Sequence, residues 1–299
     1  MSAKSTEARD FLVTRRAKIT PDQAGLSHYG GNRRVPGLRR EEVAMLAGVS
    51  VDYYTRLEKG NLAGVSDSVL DAVAGALQLD EAERVYLFDL ARAANAAGRP
   101  HTSPVQRRRP AQRVRPVVQQ IVDSMTTTVA FVRNGRLDIL GANMLGRALY
   151  SPVFDSPTRT SEVTPPNIAR FGFLDPAARD FFPYYDESCR TSVAILRTEA
   201  GHNPHDRGLT GLIGELCTRS EDFRTRWAAH DVRLHRTGTK YFHHPVVGDL
   251  TLNFEAMQFT ADAGLTLSAY TAEPGSPSAE ALQLLASWAA TDANTPADR

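Results

Sequence analysis

Residues 99–115, RPHTSPVQRRRPAQRVR, divide the chain. They hold six arginines, three prolines and no acidic residue. Pro100, Pro104 and Pro110 lack an amide donor, and the stretch has almost nothing apolar to bury, so no core element is expected to run through it. A chain of 299 residues, at ~100–200 residues per domain, is therefore expected to fold as two domains, 1–98 and 116–299, joined by an Arg/Pro-rich linker. The remaining composition is 42% hydrophobic and 23% charged, as in ordinary globular proteins rather than disordered or fibrous ones. No apolar run approaches the ~18 residues of a membrane span, and the first residues lack the apolar core of a secretory signal. Cys189 and Cys217 are too few for a disulfide framework and sit in no metal-ligand spacing. These features point to a soluble cytoplasmic protein with reduced thiols.

The net charge of +1 conceals a polarity. Residues 1–60 carry eleven Lys/Arg against seven Asp/Glu, whereas residues 61–98 carry two against six. The linker adds six more cations, and residues 116–299 are acidic, with 16 against 21. Basic charge is thus gathered in the first third of the chain, where a polyanion could meet it.

That third reads as helical. Residues 7–18 form a first helix with Phe11 and Leu12 inward and cations in its last turns. Residues 38–60, LRREEVAMLAGVSVDYYTRLEKG, follow the pattern of two short helices about a tight turn. Val43, Leu46 and Ala47 mark the first helix. Gly48 permits the turn, Val49 plugs the angle, and Ser50 is placed to cap the second helix. With Tyr54 and Leu57 inward, Val51, Asp52, Thr55 and Arg56 lie on the outer side. Near a helix N-terminus, such side chains meet base edges in a major groove. Arg56 suits guanine, Asp52 cytosine N4 and Val51 a thymine methyl, with Ser50 and Tyr53 beside them. Arg39 and Arg40, ahead of the pair, are placed for phosphates. Glu58 would be repelled by DNA and is expected to turn inward to Arg15 or Arg16. Helices over 66–77 and 80–95 complete a five-helix domain and, being acidic, should face away from DNA.

The run from Gly37 to Gly60, followed by SDSVLDAVAGALQLDEAERVYLFDLA, resembles the Xre-type, lambda-repressor-like helix-turn-helix. The likeness extends over about residues 7–95. It implies sequence-specific binding of double-stranded DNA, as a homodimer on half-sites about one helical turn, ~34 Å, apart.

The second domain mixes elements. A helix is expected over 116–126. Asn134-Gly135 lies between β-prone runs 128–133 and 136–141, a strong hairpin signal that supplies φ > 0. A short helix over 143–150 follows. Asp175-Pro176 reads as an N-cap and first helical position, opening a longer helix to about Ala200. Helices over 209–217 and 220–229 come next, then three alternating strands within 239–272, and a last helix from Ser276. The order predicts an α+β domain with an antiparallel sheet, compatible with a PAS-like sensor.

NIARFGFLDPAARDF, LIGELCTRSEDFRTRWAAHDV, TGTKYFHHPVVGDLTLNFE and YTAEPGSPSAEALQLLASWA are similar to the ligand-binding domain of MmyB-like regulators, over about residues 115–289. The resemblance implies a PAS-fold sensor of fatty-acid-like or other apolar small ligands. Phe131, Ile139, Ala142, Trp227, His230 and Phe254 are the candidate lining. The chain departs from the family where Ala142 and Tyr185 replace common tryptophans and Val129 replaces a proline. Ala142 in place of a ring would leave volume if it borders a cavity.

Enzyme chemistry finds no assembled site. There is no G-x-S-x-G elbow, P-loop, G-x-G-x-x-G fingerprint or H-E-x-x-H. His202, His205 and Asp206 give only a weak metal-ligand spacing, and His243 and His244, adjacent on a strand, point to opposite faces. The expectation is a DNA-binding regulator without cofactor, metal or membrane contact. Its alternative is a DNA-binding adaptor whose second domain binds a protein.

Overall fold

The computed structural model describes residues 3–26, 35–97, 112–159, 161, 163–203, 206–229 and 236–294. Most of the linker expected over 99–115 lies outside them. By contacts the chain forms two compact units. The first is 1–105 with 197–210 and 226–234, and the second is 106–196 with 211–225 and 235–299. The sequence reading has a single boundary, whereas the chain re-enters the first unit twice.

The first unit contains α1 (Ala3–Lys18), α2 (Arg40–Leu46), α3 (Val51–Glu58), α4 (Asp67–Ala76) and α5 (Glu81–Ala97). Three of these starts have a local cause. Ser50 Oγ accepts from the Tyr53 amide at 3.1 Å, and Ser66 Oγ from the Val69 amide at 3.4 Å. Asp80 accepts from the Glu83 amide at 2.8 Å and Glu83 from the Asp80 amide at 3.1 Å, a reciprocal cap that satisfies two orphan donors. Gly48 takes φ +63° in the α2–α3 turn. Gly60, at φ +87°, ends α3 so close to α1 that a Cβ would lie 1.9 Å from the Ser5 carbonyl oxygen. The helices bury Phe11, Leu12, Val43, Tyr54, Leu57, Leu70 and Tyr86 in one cluster, with Phe11 and Tyr86 edge to face at 5.1 Å.

The second unit is built on five strands. In chain order its elements begin α6 (Pro116–Ser124), β1 (Val129–Asn134), β2 (Ile139–Ala142), α7 (Met144–Leu149), α8 (Ser151–Phe154), α9 (Ile168–Leu174) and α10 (Ala178–Phe181). There follow α11 (Tyr185–His202), α12 (Arg207–Arg219), α13 (Glu221–Ala228), β3 (Thr237–His244), β4 (Gly248–Gln258), β5 (Leu265–Thr271) and α14 (Pro277–Asn294). The ends of α11 and α13 and the start of α12 fall in the first unit. The sheet is antiparallel, in order β2-β1-β5-β4-β3. Ala130, Val132, Leu265 and Leu267 face α6 through Val118 and Val122. Val129, Phe131, Tyr270, Phe254 and Phe242 face the other way, into a cluster shared with α7, α10 and α14. This second face is the inner face of the sheet.

Two local expectations are corrected. The hairpin between β1 and β2 forms, but the left-handed residue is Leu137, at φ +65°, and not Asn134 or Gly135. Asn134 acts through its side chain instead. Its Oδ1 accepts from the amides of Arg136 and Asp138, each at 3.0 Å, an Asx-type turn that widens the loop. The helix expected from Pro176 to Ala200 is broken between α10 and α11, where Pro183 supplies no amide and disfavours helical backbone at Phe182. Phe182 accordingly has extended backbone, φ −108° and ψ +94°.

Candidate functional site

The face of α3 divides cleanly. Tyr54, Leu57 and Glu58 are buried, Val51, Asp52, Arg56 and Lys59 are exposed, and Tyr53 and Thr55 are half-buried. Val51, Asp52, Thr55 and Arg56 therefore share the outer side of one helix. The Arg56 guanidinium lies 4.7 Å from the Tyr53 ring centroid, so the ring props the cation at the surface. Ser50 is committed to the cap. Arg39 precedes α2, half-exposed and 3.6 Å from Glu41.

Glu58 is the electrostatic centre of this unit. It is only 2% exposed, and its carboxylate binds Arg16 through one oxygen and Arg40 through the other. Arg16 also donates to the Leu38 carbonyl oxygen at 2.8 Å. Of the two expected partners, Arg16 is the one used, while Arg15 pairs with Glu83 at 2.7 Å. Arg40, expected at phosphates, spends its Nε on Glu58 and keeps the rest of a half-exposed guanidinium outward. A buried carboxylate requires this much compensation. The neighbouring Tyr54 phenol is pushed upward, first by burial and then by the Glu58 charge.

On the sheet, Phe131, Ile139, Ala142 and Phe254 all join one buried apolar cluster. Ala142 pairs with Phe131 across β1 and β2. Around them the rings pack edge to face. Phe131 lies 4.9 Å from Tyr150 and 5.5 Å from Tyr270, and Phe254 lies 5.9 Å from Tyr270. Two hydroxyls are buried among these carbons, Tyr150 and Tyr270, bonded to each other at 2.9 Å. Burial raises both phenols, Tyr270 to about 12.

A family model for the MmyB-like transcription regulator ligand binding domain matches residues 114–285, and one for a helix-turn-helix domain matches residues 14–87. The chain belongs to the MmyB-like regulators. It is a DNA-binding transcription regulator with a ligand-sensing domain. No curated protein matches it.

Of the remaining candidate lining in this MmyB-like regulator, Trp227 is not among the residues of the sheet cluster. Trp227 falls in the first unit. Its ring lies 4.2 Å from the Arg197 guanidinium, and its carbonyl oxygen accepts from the same side chain. His230 lies outside the described residues, as does His205. Among the described residues no three His, Cys, Asp or Glu side chains could hold a metal, and no helix is long and apolar enough to cross a membrane.

An open cleft of about 680 Å³ lies beside the β3–β4 turn, lined in part by Arg179, Asp180, Pro183, His243 and Asp249. None of the candidate ligand residues borders it. Its rim carries the His243–Asp249 pair at 2.6 Å, beside Pro152, Ala177, Phe181 and Pro245.

Three side chains escape sequence reasoning. Arg40 as a partner of Glu58 required knowing which way α2 rolls. Lys240 shares strand parity with Phe242 and His244, and so faces inward, which the alternation of TKYFHH does signal. Arg133 has the parity of Phe131, yet a cation in that position reads from sequence as a strand end.

Proposed function

We propose that this regulator reads operator DNA as a homodimer through the outer side of α3, and that its PAS-like sheet domain binds a small apolar, fatty-acid-like ligand. The observation that carries the DNA reading is the division of α3, with Val51, Asp52 and Arg56 exposed over a core of Tyr54 and Leu57. Arg56 is assigned to guanine and Asp52 to cytosine N4, with Thr55 and Tyr53 beside them. Arg39 and the free part of Arg40 are assigned to phosphates. The ligand reading rests on the family match and on the shared cluster of Phe131, Ile139, Ala142 and Phe254. The five-stranded antiparallel sheet, in order β2-β1-β5-β4-β3, supports the PAS-like reading. The ligand regulates by preferring one arrangement of the dimer, since only differential affinity shifts such an equilibrium.

The test selects a preferred site from random duplexes and measures binding of the full chain across salt concentrations. Arg56→Ala should relax preference at one base position, by ~1–3 kcal/mol. Arg39→Ala should weaken all duplexes alike and flatten the salt slope by about one unit. Equal effects of both variants on every duplex would place the reading face elsewhere.

A protein-binding role for the second domain has one observation in its favour. Leu284 and Trp288, one turn apart on α14, are 66% and 38% exposed. Loss of self-association or partner binding in Leu284→Ser, with ligand response kept, would assign that face to a protein contact.

A further inference from the structure

The helix α11 begins at Tyr185 in the second unit and ends at His202 in the first. Its last turns carry two bases, Arg197 and His202, and each meets an acid of the DNA-binding helices. Arg197 Nη1 lies 3.9 Å from the Glu7 carboxylate of α1, and His202 Nε2 donates to Asp89 of α5 at 2.5 Å. Between these pairs Gly201 lies against Tyr86 of α5, where a Cβ would come within 3.2 Å of the ring. The Tyr86 hydroxyl donates to Glu7 at 2.6 Å, so one carboxylate serves both α5 and α11. The end of α13 closes the group. The Trp227 ring lies 4.2 Å from the Arg197 guanidinium, and the Trp227 carbonyl oxygen accepts from it.

Arg197, Tyr86 and Asp89 are buried. A buried guanidinium is tolerated only where its charge and donors are met. Here a ring, a carbonyl and a carboxylate meet it from α13 and α1, so the side chain is content only when these helices stay together. Withdrawal of α11 would leave Asp89 with the exposed Arg92 of its own helix, 3.0 Å away. The arrangement is therefore closed or open, with little between. The helix α1 carries it onward to the reading helix. Its Ser5 hydroxyl donates to the Lys59 carbonyl oxygen at 3.1 Å, just past α3, and its Arg16 binds Glu58 within α3. Ser5 and Glu7, two residues apart, lie on opposite sides of α1, one toward α3 and one toward Arg197.

We propose that the end of α11 is a clasp on the DNA-binding unit. Arg197, Gly201 and His202 close it on α1 and α5, closure steadies α3 for base reading, and the sheet domain regulates DNA reading by opening it through α11. The proposal rests on the reading of the chain as a ligand-responsive DNA regulator, and it names the element through which the response passes. Linkage makes the effect reciprocal, so DNA must favour the closed clasp as much as the closed clasp favours DNA.

The test follows hydrogen exchange in the full chain, without and with a duplex selected from random sequence. In the wild type the duplex should slow exchange over residues 197–203 by about fivefold or more. Gly201→Leu, which wedges α11 away from Tyr86, and Arg197→Met should speed exchange in α1 and α5 by about tenfold or more, with β1–β5 unchanged. Both should weaken the selected duplex by about fivefold or more. Arg197→Lys, which keeps the charge without the planar stack, should fall between. Faster exchange confined to α11, or undiminished duplex affinity in variants whose α1 and α5 exchange faster, overturns the clasp. So does unchanged exchange over 197–203 when the wild type binds the duplex, a comparison that needs no variant to fold. Failure of the wild type to bind any duplex overturns the DNA reading instead, and exchange in Gly201→Leu still decides whether α11 holds α1 and α5.

Discussion

The two units of this regulator treat buried charge in opposite ways. In the helical unit, Glu58 is closed off by Arg16 and Arg40, one on each carboxylate oxygen. In the sheet unit, Lys240 has an aromatic ring as its close partner and a second cation in its field. A module that reads DNA works with its outer surface, so its interior is free to complete every charge and hold α3 still. A ligand-sensing module can carry a cation beside its apolar rings, at a cost in stability.

The largest expected effect is at the closed site. Glu58→Ala removes the shared anion and leaves two guanidiniums facing each other, so unfolding of the full chain should lose ~3–5 kcal/mol. Urea denaturation followed by circular dichroism measures it, and an unchanged midpoint would show that the two arginines hold nothing together. Next comes Ala142→Trp. Ala142 is 4% exposed within the packed aromatic cluster, so the added ring should cost ~1–3 kcal/mol by overpacking. A thermal midpoint equal to wild type would reveal room beside β2.

Lys240 should behave as the reverse of Glu58. Its pKa falls from 10.5 to about 8 on folding, so the unfolded chain binds more protons between those values. Stability therefore rises with pH from about 8 to 10.5, and below that range the charged amine is a burden. Lys240→Met should raise the neutral-pH melting temperature and abolish the alkaline rise. A fall like that of Glu58→Ala would end the contrast between the units.

The smallest effects come from two histidines. In the first unit His202 is bonded to Asp89, which raises its pKa against the opposing effect of burial. Its contribution is complete below pH 6.5 and is lost as pH rises through the folded value. In the second unit His244 is lowered by burial. Its Nε2 donates to the Ala148 carbonyl oxygen at 3.0 Å, and its Nδ1 accepts from the Val246 amide at 3.2 Å. Its contribution is present above pH 6.5 and is lost as pH falls. Melting curves against pH should flatten on the alkaline side in His202→Gln and on the acid side in His244→Gln.

What the sequence determined by itself is local. The spacing of Gly48, Ser50, Tyr54 and Leu57 specifies two helices and a turn because each term acts within a few residues: a left-handed backbone, a capped amide, an apolar period. The alternation in TKYFHH and GDLTLNFE likewise sorts β3 and β4 into inner and outer faces, and Pro183 carried a helix break that the Asp175-Pro176 start obscured. Only the tertiary structure decided which arginines close on Glu58, since Arg16 and Arg40 reach it from separate helices 42 and 18 residues away. Only the tertiary structure set Trp227 against Arg197 rather than among the candidate lining, and set the Lys240 amine 5.2 Å from the Phe254 ring centroid. Such pairings depend on helix roll, strand order and sheet curvature. Those are collective outcomes of packing a whole core, and no window of neighbouring residues contains them.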